Sequence, residues 1–438
     1  MKNKILLIIP AFLLVMQSYC QDFTPLLEKA WANNELLQSH NETINAATFA
    51  AKEAKALYGP TIKFNTVYTL AAGGRTIQFP VGDLLNPVYS TLNQLTQSSS
   101  FPQLENQNVN FLPNNFYDAK FRVEQPIFYP ELAINKSLKE GELEIKSLDV
   151  KIAKRAVARE VMLTYFQLKQ AETYSNVLAE SGKLLDEAAR TTASMVANGI
   201  ALPSTKIRVE AQRQALQQQV IEAENSITNA RAYLRQLLGD ELVDSVILDE
   251  LPEIPLTTAG IREELLQLEK ASDLMSLAIK KEDLFYKPKL GAALDAGSQA
   301  FNFGWSPYVL LGINLDINLY DHKRHQYRKD QAKANIMAND LKKSYVTEQL
   351  SLKQEVSKNN LMAALRQAAT FETRIKSADR NFKDVSIKYR EGIAGYLEIL
   401  DAENLLTTTR LQYTLARFNA WAKWADLQYD MATVDVNN

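Results

Sequence analysis

The spacing of apolar residues changes period several times along the chain, and each change predicts a different element. Leu216, Val220, Ala223, Ile227, Ala230, Leu234 and Leu237 follow one another in alternating steps of four and three. Leu411, Leu415, Phe418, Ala422, Ala425 and Tyr429 do the same, while Tyr413, Ala416, Ala420, Trp424 and Leu427 draw a second apolar line on that segment. A sustained repeat of about 3.5 residues belongs to helices that supercoil against neighbours, and two lines predict neighbours on two sides. Helix breakers set the lengths. No proline falls between Pro130 and Pro203, and neither glycine nor proline falls between Asp321 and Glu391. At 1.5 Å per residue, a helix of about 65–70 residues is roughly 100 Å long, far beyond the diameter of an ordinary domain. Taken by themselves, the helices fit a plain two-stranded coiled coil equally well.

Elsewhere the period drops to two, the mark of a strand with one apolar and one polar face. Within 61–70, Ile62, Phe64, Tyr68 and Leu70 share one parity. Within 117–127, Tyr117, Ala119, Phe121, Val123 and Ile127 alternate with Asp118, Lys120, Arg122 and Glu124. Within 308–320, Val309, Leu311, Ile313, Leu315, Ile317 and Leu319 form the apolar parity, and 290–296 is a weaker fourth case. Tyr58, Phe116, Tyr117, Phe128, Tyr129, Phe301, Phe303, Trp305, Tyr308 and Tyr320 gather around these segments, as aromatics do at a membrane–water boundary. A soluble sheet with one wet face produces the same alternation. The charged parity of 118–124 suits a water-filled lumen and favours a transmembrane barrel. Four strands cannot close a barrel, and open edges are not tolerated in lipid. Three copies of the chain would supply twelve strands, which predicts a trimer.

The chain also repeats itself. Gly199-Ile200-Ala201 recurs as Gly392-Ile393-Ala394, 193 positions later, and Glu210 falls on Glu403 at the same offset. The segment 125–129 resembles 316–320 at an offset of 191, whereas 58–60 resembles 286–288 at an offset of 228. The jump of 37 locates an insertion in the first copy, between its two strands. That stretch, about 71–115, holds Pro80, Pro87, Pro102, Pro113 and three consecutive serines, and reads as a long loop outside the cell. The expected organisation is therefore a first structural repeat over 21–250 and a second over 251–438, each running helix, strand, strand, long helix, turn, helix.

Composition narrows the chemistry. In 438 residues there are 49 basic and 51 acidic side chains, a net charge of −2, so nothing marks the chain as a nucleic-acid binder. Lys2 and Lys4 precede an uncharged run from Ile5 to Met16, which reads as a secretory signal peptide over 1–20. Cleavage is expected near Cys20–Gln21; acylation of Cys20 is the other reading, but Gln17, Ser18 and Tyr19 make a poor lipobox. The single cysteine excludes an internal disulfide framework, and three histidines leave little room for zinc. His322 and His325 stand three apart beside Lys323 and Arg324, which oppose a cation, so no metal site is expected. No phosphate loop or nucleophile elbow is present, and the chain reads as neither an enzyme nor a cofactor binder.

Tyr389-Arg390-Glu391-Gly392 followed by Leu397-Glu398-Ile399-Leu400-Asp401-Ala402-Glu403 resembles the carboxy-proximal motif of the TolC-type outer-membrane efflux family. Gly199 to Glu210 is its counterpart in the first copy, and the likeness extends over nearly all of the chain after the leader. The insertion near 82–87 resembles family members from Bacteroidetes-like bacteria. The resemblance implies a mainly helical fold with a membrane β part: duplicated helix-strand-strand-helix repeats, long coiled helices, and a homotrimer that forms a 12-stranded β-barrel plus a periplasmic α-helical barrel. It implies an outer-membrane channel-tunnel of a tripartite export system, partnered by a periplasmic adaptor protein and an inner-membrane transporter. Drugs, metabolites or secreted peptides would leave through it passively. Hairpin-tip turns fall at Gly199 and Gly392. Glu398 and Asp401 match a periplasmic acidic ring, although both equally suit an acidic helix start. Tyr389 matches a periplasmic gate tyrosine and Ser204 and Thr205 its partners; Thr205 replaces an acidic partner and Ala394 a gate arginine. The alternative is a periplasmic coiled-coil adaptor or structural protein of the same assemblies.

Overall fold

The computed structural model describes residues 23–239, 248, 251–255 and 259–436. The leader expected over 1–20, the acylation of Cys20 and the repeat boundary at residue 250 lie outside the described residues. In chain order the elements are α1 (Thr24–Asn33), α2 (Glu35–Ala56), β1 (Thr61–Thr69), β2 (Thr76–Phe79), α3 (Val81–Leu95), β3 (Gln107–Asn110), β4 (Phe116–Phe128), α4 (Pro130–Ala197), α5 (Pro203–Leu238), α6 (Glu263–Asp283), β5 (Lys289–Phe301), β6 (Pro307–Asp316), α7 (Arg324–Arg390) and α8 (Tyr396–Met431). The chain forms two compact units, one built from Met1–Ala47, Gly141–Asp273 and Asn335–Asn438, the other from Thr48–Glu140 and Leu274–Ala334.

The first unit is helical. The proline-free stretches become α4, with 68 residues, and α7, with 67. The heptad line of α5 is its buried line: Ala223, Ala230, Leu234 and Leu237 are all enclosed. In α8 the expected lines need correcting. Leu415 is exposed, and the centre of the packing is Trp421, which lies on neither line and is fully buried. Trp421 packs on Phe166 of α4 at 5.5 Å and on Trp424 at 5.6 Å, within a core that also takes Phe23, Leu26 and Leu27. A helix with neighbours on most of its circumference buries more than two lines can describe.

The second unit carries a four-stranded antiparallel sheet in the order β1-β4-β5-β6. Its burial is inverted. Register places Ile62 beside Val123, Phe64 beside Phe121, Val123 beside Leu294 and Leu294 beside Leu311, so one apolar face is continuous across all four strands. That face is the exposed one: Ile62 is 71% exposed, Phe121 58%, Val309 74% and Leu311 69%. The opposite face holds the charges. Arg122 donates two hydrogen bonds of 2.7 Å to Asp295, which is nearly buried, and Asp118 accepts from Lys120 at 2.9 Å and from the Tyr308 hydroxyl at 2.7 Å. Tyr308 thus serves the charged face and leaves the aromatic boundary to others. Phe116 meets Phe301, and Tyr68 and Tyr117 stack on Phe303, at the end of the sheet where β1 finishes and β4 begins.

Two expectations about this unit are revised. The apolar alternation of 308–320 outruns its strand: β6 ends at Asp316, which pairs with Lys289 at the start of β5, so no partner remains for Ile317 and Leu319. The insertion at 71–115 is not a plain loop but a small module in which β2 pairs with β3 and α3 lies between them. Pro87 is inside α3, where it removes one helix donor. Side-chain amides brace the helix instead: Asn86 exchanges two hydrogen bonds with the backbone of Leu104, and Asn93 two with Phe101. Among the described residues no helix is long and apolar enough to cross a membrane.

Candidate functional site at the hairpin tips

The turns joining α4 to α5 and α7 to α8 share one pattern of backbone hydrogen bonds. Gly199 and Gly392 both take φ +72°, in the left-handed region where a Cβ is penalised. Ile200 and Ala201 donate to the Met195 carbonyl; 193 residues later, Ile393 and Ala394 donate to that of Lys388. Gly199 donates to Val196 and Gly392 to Tyr389 in the same way. These bonds satisfy the last carbonyls of each long helix as a left-handed C-cap does. The chain then re-enters a helix through Leu202-Pro203 in one turn and Gly395-Tyr396 in the other.

The side chains of the two turns differ. Val209, Tyr389, Ala394, Tyr396 and Ile399 form a small apolar cluster, with Met195, Phe382, Val385 and Leu400 against it. Beside it a cleft of about 370 Å³ opens between residues 184–191 of α4, 382–390 of α7 and 396–403 of α8. Tyr389 is buried, and its hydroxyl lies 2.7 Å from that of Thr192. Thr192 commits its proton to the Ala188 carbonyl, so Tyr389 is the donor of the pair. Within one chain, then, the partner of Tyr389 is Thr192, while Ser204 is exposed and Thr205 half-buried on α5. Thr192 went unnoticed in the sequence because a threonine in mid-helix carries no spacing signal.

The Tyr396 hydroxyl is enclosed and has no hydrogen-bond partner among the described residues. Burial pushes its phenol above the ordinary value, and the neighbouring Tyr389 and Glu403 add to the shift. Ala394, where the family resemblance places a gate arginine, is packed into the apolar cluster. Glu398 is exposed and accepts a 3.1 Å hydrogen bond from the Gly395 amide, capping the start of α8. Asp401 is exposed one turn further on. Glu403 is buried, and its carboxylate accepts from Ser181 of α4 and from Thr407 at 2.7 Å.

His322 and His325 are spent on structure. His325 shares both oxygens of Asp321 and stacks on Phe285 at 4.3 Å, and His322 pairs with Tyr320. Burial raises the Asp321 carboxyl, but its side-chain and backbone bonds with His325 outweigh that and leave it below the ordinary range. Among the described residues no group of three or more histidine, cysteine or acidic side chains is placed to hold a metal.

The fold thus combines paired long hairpins of one duplicated turn geometry with a four-stranded sheet whose apolar face is exposed. Residues 263–429 match the model of the outer membrane efflux protein family. The outer membrane protein VceC of Vibrio cholerae superposes with a TM-score of 0.70 at 13% identity, covering 93% of this chain and 95% of that one. The outer membrane channel CmeC of Campylobacter jejuni gives 0.71 at 13% identity, covering 93% and 84%. The open-state outer membrane channel MtrE of Neisseria gonorrhoeae gives 0.70 at 13% identity, covering 93% and 88%. No curated protein matches the sequence. The family whose model matches residues 263–429 is the one that the sequence resembles, and the fold of the chain is mainly helical, as expected. The family and the matched structures are channels of the outer membrane.

Proposed function

We propose that the chain is the outer-membrane channel-tunnel of a tripartite export system. Three copies place β6 of one against β1 of the next, and three four-stranded sheets close as twelve strands. The single observation that carries this reading is the inverted sheet: a continuous exposed apolar face, a charged face held by the Arg122–Asp295 and Lys120–Asp118 pairs, and edge strands β1 and β6 unpaired among the described residues. An apolar surface of that extent needs lipid, and a sheet in lipid needs closure. The helices extend from the barrel into the periplasm as a tunnel. Drugs, metabolites or secreted peptides leave through it passively, driven by a separate inner-membrane transporter that a periplasmic adaptor joins to the hairpin tips.

In this reading the turns at Gly199 and Gly392 form the periplasmic end. Glu398 and Asp401, exposed near the start of α8, repeat three times around the axis and form acidic rings that favour cations. The gate is held by neutral hydrogen bonds, with Tyr389 on Thr192 within a chain and Ser204 and Thr205 available to a neighbouring copy. Each such bond contributes about 1 kcal/mol net. The 21–250 and 251–438 repeats are the two halves of one duplicated protomer.

Reconstitution into a planar bilayer tests the function. The expected result is a cation-selective, low-conductance channel whose selectivity falls when Glu398 and Asp401 are both neutralised to Gln and Asn. Purified protein that adds no conductance to the bilayer at any voltage contradicts it.

A further inference from the structure

The insertion module is folded inside out. On α3, Asn86, Ser90 and Asn93 occupy one side of the helix, and that side faces the protein's own chain. Asn86 is bonded to Leu104, Ser90 to Gln103 at 3.1 Å, and Asn93 to Phe101. The helix start is pinned in the same way: Asn106 accepts from the amides of Gly82 and Asp83 and donates to the Asp83 carboxylate at 2.9 Å. A Cβ at Gly82 would stand 2.3 Å from the Leu104 carbonyl, so only glycine permits this close seating. At 100° per residue, Leu84, Val88, Thr91 and Leu95 fall on the opposite side. Leu84 is 69% exposed, Val88 52% and Leu95 76%. A helix that seats its amides on its own chain and turns its leucines outward is built for an external partner.

Three features select the partner. The stripe advances by four, three and four residues, the spacing of a seam that packs against another helix. No lysine or arginine occurs between Arg75 and Lys120, and Asp83 and Glu105 are the only charges in 76–115. A surface made for an anionic lipid leaflet would carry basic residues; this one carries none. The module also leaves the sheet from the end of β1, an edge strand, and rejoins it at the start of β4. That edge is where a second copy pairs in the reading proposed above, on which this inference rests.

We propose that the partner is α3 of the neighbouring copies. Three α3 helices pack through Leu84, Val88 and Leu95 about the symmetry axis, over the outer mouth of the barrel. Threefold symmetry brings identical side chains together, so one position meets itself. The cluster clasps the copies at the end away from the tips and narrows the exit.

Disulfide trapping tests this. The chain's one native cysteine, Cys20, lies in the expected leader, so the parent protein is the control for background oxidation. Val88→Cys and Ser90→Cys are each made in the full chain, extracted in detergent and oxidised with copper phenanthroline. The expected result is that Val88→Cys yields a reducible covalent dimer, limited to about two chains in three because a trimer leaves one unpaired, while Ser90→Cys yields none. An intact unheated trimer in which Val88→Cys gives no dimer overturns the helix cluster and leaves the three-copy reading standing. A fluorophore on Val88→Cys that is quenched by spin-labelled lipid identifies the outer leaflet as the occupant, and also overturns it. A parent chain that runs only as a monomer overturns both readings together.

Discussion

The helical unit and the sheet bury opposite things. Around Trp421 the helices enclose aromatic and aliphatic side chains, as a protein in water does. The carboxylates buried elsewhere in that unit, Glu263 and Glu403, are paired with Arg155 and with Ser181 and Thr407. The sheet encloses Asp295 and leaves Ile62, Phe121, Val309 and Leu311 outside. The residue types are the same in both; the surroundings decide which face is stable. A hydrophobic pattern therefore reports a boundary between two media, and says which side is wet only when the structure shows which side is enclosed.

Substitutions that act in one medium and not the other break this comparison most sharply. Trp421→Ala empties the centre of the helical packing and is expected to cost about 3–5 kcal/mol. Denaturant unfolding followed by helical circular dichroism should register that loss equally in detergent and in lipid vesicles. Leu311→Arg is expected to cost about 2–4 kcal/mol at mid-membrane depth. Its signature is selective: folding yield into vesicles falls, while the helical signal of the detergent-solubilised protein is unchanged. If Leu311→Arg inserts as well as the parent, that face of the sheet is wet.

The duplicated turns allow a finer comparison. Gly199→Ala and Gly392→Ala each force a Cβ into a left-handed backbone, for about 1–2 kcal/mol. Neither Cβ would have an atom of the described residues within 4 Å, so the two losses should agree to within experimental error. The tyrosines of the second tip should disagree. Tyr389→Phe breaks the bond to Thr192 and should cost about 1 kcal/mol. Tyr396→Phe deletes a hydroxyl that has no partner among the described residues, so it should be neutral or stabilising by thermal denaturation. Equal losses for both would mean that Tyr396 is bonded in the working protein.

Much of this was legible in the chain. The absence of breakers gave α4 and α7 nearly to the residue, and the offset of 193 anticipated two turns with one hydrogen-bond pattern. Alternation found all four strands of the sheet, the weakest being β5, where Gly291, Ala292, Ala293, Ala296 and Gly297 blur the contrast between faces. What stayed hidden depends on tertiary partners. The proline-rich insertion gave no sign of α3, because its polar residues are staples and not solvated surface. Trp421 lay off both apolar lines of a helix packed on several sides. Glu403, matched by sequence to the exposed Glu210, is instead a buried link between α4 and α8. Thr192 is recognisable only once Tyr389 is seen beside it.

The central claim is that one chain supplies a third of a closed wall, and the mass of the extracted particle measures it directly. Light scattering of the unheated, detergent-purified outer-membrane protein, corrected for bound detergent, should return three chains. A particle of one chain, stable and inserted in the outer membrane, would contradict the account.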